Sequence, residues 1–186
     1  MSEVKQYFSE IKQTLDLIAE DPIEKTIDIL HQARLDGKQI FIMGNGGSAS
    51  TASHFVCDLA KNTRTEKTPH YKVIGLADNM AILSAYANDD GYENVFAYQL
   101  ANLVQAGDVV IGISTSGNSP NVLKAMDVAN AANAKTIGLT GYNGGKLSAL
   151  VDVEVHVPSD CIEQVEDIHL ILEHLITTVL REKGQA

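Results

Sequence analysis

The chain has 186 residues, 45% of them hydrophobic, with 24 acidic against 14 basic side chains and a formal net charge of -10. That supports one domain with a sizeable core and excludes broad electrostatic attraction to nucleic acid or to an anionic membrane. An anionic small molecule is not excluded, because a local nest of backbone N–H groups and hydroxyls holds a phosphate inside an acidic protein.

In chain order, residues from about Glu3 to Ala19 carry an amphipathic helical pattern with no signal-like apolar stretch. "DPIEKTIDILHQARLDG" predicts a second helix, with Asp21 as N-cap, Pro22 at the first helical position and Gly37 as the stop. Five short apolar runs then read as buried strands: Lys38 to Met43, Lys72 to Ala77, Asp108 to Ser114, Lys135 to Thr140 and Asp152 to Pro158. Helical periodicity separates them over Ser48 to Asn62, over Met80 to Val104 with a break near Asn88 to Gly91, and over Pro120 to Ala131. A last helix is expected from a cap at Asp160 to about Arg181.

Strands interleaved with helices of this length predict an α/β fold: a doubly wound, five-stranded parallel sheet with helices on both faces. The expected plan is a single domain over 1–186, with leading helices in 1–36, the core in 37–158 and the C-terminal helix in 160–183. "LILEHLITTVL" is more apolar than one solvated helix needs, so the terminal helices are expected to pack in an oligomer. The two cysteines, Cys57 and Cys161, form no close-spaced metal or redox motif, and no apolar run approaches the roughly 18 residues of a membrane span. A soluble, cytoplasmic protein is expected, without nucleic-acid or membrane partners.

Two strand ends are chemically unusual. "IMGNGGSAS" leads from the first strand into a helix, and its glycines permit close backbone approach while Ser48 and the helix start offer donors to an anion. It is neither the dinucleotide GxGxxG pattern nor a P-loop, and alone it serves equally well as a structural elbow. "ISTSGNSPNV" ends the third strand, placing Ser114, Thr115, Ser116 and Ser119 around Gly117 before Pro120 opens the next helix. Such hydroxyls either cap the helix or meet the oxygens of a phosphate. Because both turns fall at strand ends that line the crevice of an open α/β sheet, a phosphorylated small ligand is the sharper expectation. In "ANDDGYENVF", Asp89 is either a solvated turn residue or a partner for a sugar hydroxyl.

Together, "GNGGSASTASHF", "ANDDGYENVF", "GISTSGNSPNVLKA" and "IEQVEDIHLILEHL" resemble the phosphosugar isomerase (SIS) domain, and within it the phosphoheptose isomerases, in order from about Gly37 to Leu175. The resemblance implies a sugar phosphate substrate, sedoheptulose 7-phosphate, isomerised to D-glycero-D-manno-heptose 7-phosphate in making nucleotide-activated heptose. It also implies a flavodoxin-like three-layer fold, a homotetramer with sites between subunits, and zinc in some members. By the same match Ser48, Ser114, Thr115, Ser116 and Ser119 surround the phosphate, Asn45, Gly46 and Asp89 surround the sugar, and Asp58 and His174 are the catalytic acid/base pair. His54, Asp58, Glu166 and His174 match the zinc-binding positions, with Glu166 also against substrate.

His54 and Asp58, four apart, share a helix face, and His174 follows Glu166 by eight residues, about 80° around the next helix at the α-helical repeat. Two imidazoles and two carboxylates suit a divalent ion of mixed N/O preference such as zinc. Aldose–ketose exchange needs a base at one carbon and an acid at its neighbour, passing through an enediol. His169, on the same helix, is expected to serve packing. Three departures bear on the substrate: Asp58 stands where the family carries a glutamate, Glu166 stands where it carries a glutamine, and "AKNTR" replaces an arginine-tyrosine pair. Other sugar phosphates, and a non-catalytic binding role, are the alternatives these departures leave.

Overall fold

The computed structural model describes residues 2–185, so positions 1 and 186 of the expected domain lie outside them. Two helices lead, α1 (Glu3–Asp16) and α2 (Glu20–Leu35), followed by β1 (Gln39–Gly44), α3 (Gly47–Cys57) and a π-helical turn (Asp58–Asn62). Next come β2 (Lys72–Gly75), α4 (Met80–Asp89), a 3₁₀ turn (Tyr92–Asn94), α5 (Ala97–Ala101) and β3 (Val109–Ser114). The chain then forms α6 (Pro120–Ala131), β4 (Lys135–Thr140), a 3₁₀ turn (Leu147–Ala149), β5 (Val153–His156) and α7 (Ile162–Gln185).

All strand pairs are parallel and the order is β2-β1-β3-β4-β5. The central strands are apolar on both faces because both faces are covered: β3 is buried at every position, whereas edge strand β2 is largely uncovered. One core lies between the sheet and α2, α3 and α7, around Leu30, Ile42, Phe55, Leu172 and Ile176. The other holds Phe41, Met43, Phe96, Val122 and Met126 beneath α5 and α6. In α7 the buried stripe Val165, Ile168, Leu172, Ile176 and Leu180 repeats every three or four residues, so one face seats along α2 and α3. Each such side chain contributes roughly 2 kcal/mol by leaving water.

The predicted boundaries shift for local reasons. Helix α2 begins before Asp21, with Ala19 at the N-cap and no side-chain cap bond. Asp21 and Pro22 therefore occupy the first turn, where a carboxylate faces the free N–H groups and a missing N–H costs nothing. The stretch Met80 to Val104 divides where the break was expected, α4 ending at Asp89 and Gly91 taking a φ of +93° that no helix accommodates. Cys161, not Asp160, directly precedes α7, which runs to Gln185.

His169 is fully buried on α7, its Nε2–H donating to the Thr140 carbonyl at 3.1 Å. Its Nδ1 has no partner among the described residues. Burial pushes the imidazole down to about 4 from its ordinary 6.5; the Thr140 bond acts in the opposite sense and His156 adds to the fall. Above pH 6.5 both folded and unfolded chains hold it neutral, but between 6.5 and 4 only the unfolded chain binds the proton. Stability present at neutral pH is therefore lost across that window. Urea unfolding of the parent and H169Q should show the parent losing roughly 2 kcal/mol more between pH 7.5 and pH 5. Equal losses in the two proteins would refute this account.

Candidate active site

Two helix N-termini converge at the C-terminal edge of the sheet. Helix α3 starts from Gly46, whose φ of +55° turns the chain sharply, and no side chain caps its first N–H groups. Helix α6 starts from Ser119, also without a side-chain cap bond. Instead the Ser119 hydroxyl pairs with that of Ser114 at 3.0 Å. In α6, Pro120 has no N–H and the Val122 N–H donates to Asn121 Oδ1 at 3.0 Å, so it is chiefly the first turn of α3 whose N–H groups need an acceptor, and the helix dipoles favour a negative one. A cavity of about 250 Å³ lies between them, lined by Asn45, Gly46, Gly47, Ser48, Ile113, Ser114, Thr115, Ser119, Ile162 and Glu166.

Glu166 reaches this cavity from the first turns of α7. Its carboxylate occupies the space a Cβ on residue 47 would fill, so Gly47 is what lets α7 approach the start of α3. On the other side, Asn45 and Asn121 exchange reciprocal side-chain hydrogen bonds of 2.9 Å, and Tyr92 donates to Asn45 Oδ1 at 2.9 Å. This clip ties the β1 turn to α6. Asn121 and Tyr92 lie within "ISTSGNSPNV" and "ANDDGYENVF", but the sequence alone did not single them out, since an amide and a phenol beside such turns show their role only through the partners that packing brings to them.

A second group lies near the C-terminal end of α3, where it meets α7. His54 Nε2 and His174 Nε2 are 3.3 Å apart. Asp58 Oδ1 lies 3.8 Å from His54 Nε2, and Asp58 Oδ2 lies 4.0 Å from His174 Nε2. The fourth member is Glu173, with Oε2 3.4 Å from His174 Nε2, and one ligand atom from each of the four lies within 4.8 Å of the others. Glu173 is fully buried, and burial, with Asp58 adding its charge, pushes its carboxyl up to about 7.

Asp58 opens the π-helical turn, which makes room for Asn62 to reach back and donate to Asp58 Oδ1 at 2.7 Å. The carboxylate is 7% exposed, so this bond and the two imidazoles are its principal surroundings.

Of the residues expected from sequence, the structure brings His54, Asp58 and His174 together but not Glu166. Glu166 lies two turns before His174 on α7, about 12 Å along the axis, with its carboxylate against Gly47 and outside the group formed by His54, Asp58, Glu173 and His174. Glu166 instead joins Asn45, Gly46, Ser48, Ser114, Thr115 and Ser119 at the anion cavity. Ser116 is exposed and accepts from the Asn118 N–H at 3.2 Å, and Asp89 is exposed at the end of α4, accepting from Asn88 at 2.7 Å. Neither lines the cavity.

A metal would fit the second group. Four ligand atoms about 2.0–2.1 Å from a tetrahedral ion stand about 3.3 Å from one another, close to the 3.3 and 3.4 Å between His174 Nε2 and its His54 and Glu173 neighbours, with the two Asp58 oxygens at 3.8 and 4.0 Å from the imidazoles. The donor set, two imidazole nitrogens and two carboxylates, is one that zinc accepts.

The family model described as the SIS domain matches residues 6–141. The phosphoheptose isomerase of Aliarcobacter butzleri is 40% identical over 161 residues, covering 87% of this chain and 85% of the relative. That of Geotalea daltonii is 36% identical over 186 residues, covering 98% and 96%. Among solved structures, a phosphoheptose isomerase from Francisella tularensis superposes with a TM-score of 0.90 at 29% identity, over 98% of this chain and 100% of that one.

The turn after β3 tolerates no side chain at its centre. Gly117 has a φ of +62°, and a Cβ there would lie 1.9 Å from the Gly144 carbonyl oxygen. Gly117→Ala should cost more than about 3 kcal/mol from strain and backbone collision combined, measured by urea unfolding. A loss under about 1 kcal/mol would show that the turn is not held closed against residues 144–145.

Proposed function

Because the chain belongs to the SIS-domain family and stands there with the phosphoheptose isomerases, we propose that it interconverts a ketose phosphate and its aldose through an enediol, with sedoheptulose 7-phosphate and D-glycero-D-manno-heptose 7-phosphate as the pair. One observation carries the reading: α3 presents an uncapped, anion-seeking N-terminus at one end and a carboxylate–imidazole pair near the other. Ser48 and His54 are separated by about 9 Å of helix axis, and helical side chains tilt back toward the N-terminus. A long open-chain sugar phosphate can therefore rest its phosphate on one end and its carbonyl at the other.

The phosphate accepts from the first N–H groups of α3 and from the hydroxyls of Ser48, Ser114, Thr115 and Ser119, with the dipole of α6 adding to the attraction, while Asn45 and Glu166 meet sugar hydroxyls. Asp58 then takes the proton from the carbon next to the carbonyl, and His174 delivers a proton to the neighbouring carbonyl oxygen, giving the enediol. Asp58 returns the first proton to the other carbon while His174, left neutral by its donation, takes the proton of the other hydroxyl, so that both groups end as they began, with roles reversed in the opposite direction. Asn62 keeps Asp58 Oδ1 occupied, which leaves Oδ2, the oxygen nearer His174, for the transfer. Zinc held by His54, Asp58 and His174 would instead stabilise negative charge developing on the sugar oxygens, taking over at the carbonyl oxygen the part that His174 has as proton donor when its Nε2 is not a ligand.

The same reading makes the protein one domain and a cytoplasmic homotetramer. Support comes from apolar side chains left open at the terminal helices, among them Val4 and Phe8 of α1, Leu17 just after it, and Ile171 and Leu175 of α7. No described helix is long and apolar enough to cross a membrane.

Purified protein incubated with pentose, hexose and heptose ketose phosphates, with zinc and after chelation, should form an aldose from the heptose phosphate fastest, followed by NMR. D58N and H174A should each lose about 10²-fold or more in kcat, and Asn62→Ala about tenfold, through a mis-aimed carboxylate. Binding of the heptose phosphate with no turnover, and no difference among these variants, would replace the isomerase with a non-catalytic phosphosugar-binding protein.

A further inference from the structure

We infer that Glu173 is a metal ligand of this chain, completing with His54, Asp58 and His174 a four-donor centre built from a single protomer. This deepens the metal part of the proposed function and rests on it, but its argument and its test do not involve turnover.

The carboxylate of Glu173 is wholly shielded from solvent. Thr177, itself buried, donates to Oε1 at 3.3 Å, while Oε2 has no hydrogen-bond partner among the described residues. One oxygen is thus fixed by a neighbour one helical turn away, and the other is aimed, bare, at the two imidazoles. A buried carboxylate oxygen without a partner is costly, and a second carboxylate in the same group, Asp58, raises the cost. A divalent cation at the point where these four groups converge removes both penalties at once. Thr177 then has the part that outer hydrogen-bond partners have in metal sites, holding the ligand in its binding orientation.

All four residues come from the junction of α3 and α7, two helices packed on the same face of the sheet. The ion therefore cross-links the end of α3 to the middle of α7 and needs no residue from a second copy. Glu166, at the anion cavity, is free to contact substrate whether or not metal is bound.

The test measures zinc binding by competition with a chromophoric chelator, together with thermal unfolding in zinc and in chelator. The parent should bind one zinc per chain; E173Q and E173L should bind at least tenfold more weakly, T177V several-fold more weakly, and E166Q within twofold of the parent. In chelator, E173L should unfold at or above the parent temperature, since it replaces an uncompensated buried acid with an apolar side chain. In zinc the order should invert, because the ion stabilises only the protein that holds it. Absence of zinc binding by the parent, parent-like affinity in E173Q and E173L, an equal rise of both melting temperatures with zinc, or a tenfold loss in E166Q would each overturn the inference. None of these results touches the isomerase reading, which stands or falls on turnover.

Discussion

Everything chemical in this molecule depends on β1 lying beside β3. Their parallel pairing, from Ile40 opposite Val109 to Gly44 opposite Ile113, brings both strands to the same edge at the same height. From there the chain winds outward in opposite directions, β1 through α3 to β2 and β3 through α6 to β4. The two helices leave a crevice at this switch point, the position where open α/β sheets admit ligands. A one-residue slip would exchange the two faces of β1 and leave Phe41 and Ile42 in each other's cores. The reciprocal Asn45–Asn121 bonds then fix the lateral spacing of the two turns, which strand pairing alone does not specify.

Helix α3 converts that crevice into a site with two ends. Its start is stripped of capping side chains and of a Cβ at residue 47, so it is open to an anion and to α7. Its other end is distorted: the π-helical turn adds a residue to the repeat, and Asp58 and Asn62 become hydrogen-bonded neighbours. A regular helix continuing from Cys57 would still place the two side chains on one face, but without the wider turn that leaves the carboxylate room between Asn62 and the imidazoles. The apolar side of α3, Ala52 and Phe55, meanwhile seats it on the sheet and keeps the interval between its ends rigid.

The layer plan was legible because it rests on periodicity. Continuous apolar runs for the inner strands and three-four spacing in α7 can satisfy only a covered parallel sheet and a seated helix. That Gly46, Ser48, Ser114 and Ser119 come together at one cavity was legible too, because they are residue types that tight strand-to-helix turns favour. Side-chain convergence between distant helices was not. Spacing shows that Glu166 and His174 share adjoining faces, yet only packing decides that α7 runs beside α3 so that Glu166 meets its start and residues 173–174 meet its other end. Glu173 was hidden for a related reason: within an apolar run it reads as an ordinary interruption, and its meaning comes from the groups it is buried against. The N-cap of α2 and the π-turn at Asp58 were illegible because each depends on a backbone choice of a few kcal/mol or less that tertiary contacts decide.

The charge of the protein and the charge of its proposed ligand pose a last question of physics. A net -10 molecule holding a phosphate must do so with dipoles, since no lysine or arginine lines the cavity. Two helix N-termini and four hydroxyl side chains supply donors without adding a formal charge. Glu166 works against them, because a carboxylate beside a free phosphate is repulsive. Its acceptor oxygens become favourable only when the ligand carries hydroxyls next to the phosphate, as a sugar chain does. In the proposed reading, Glu166 therefore discriminates between inorganic phosphate and phosphosugar, weakening the first while hydrogen-bonding the second. An unspecific anion would feel the repulsion without the compensating bonds, so selectivity comes from pairing attraction at the phosphate with a penalty that only a hydroxylated ligand relieves.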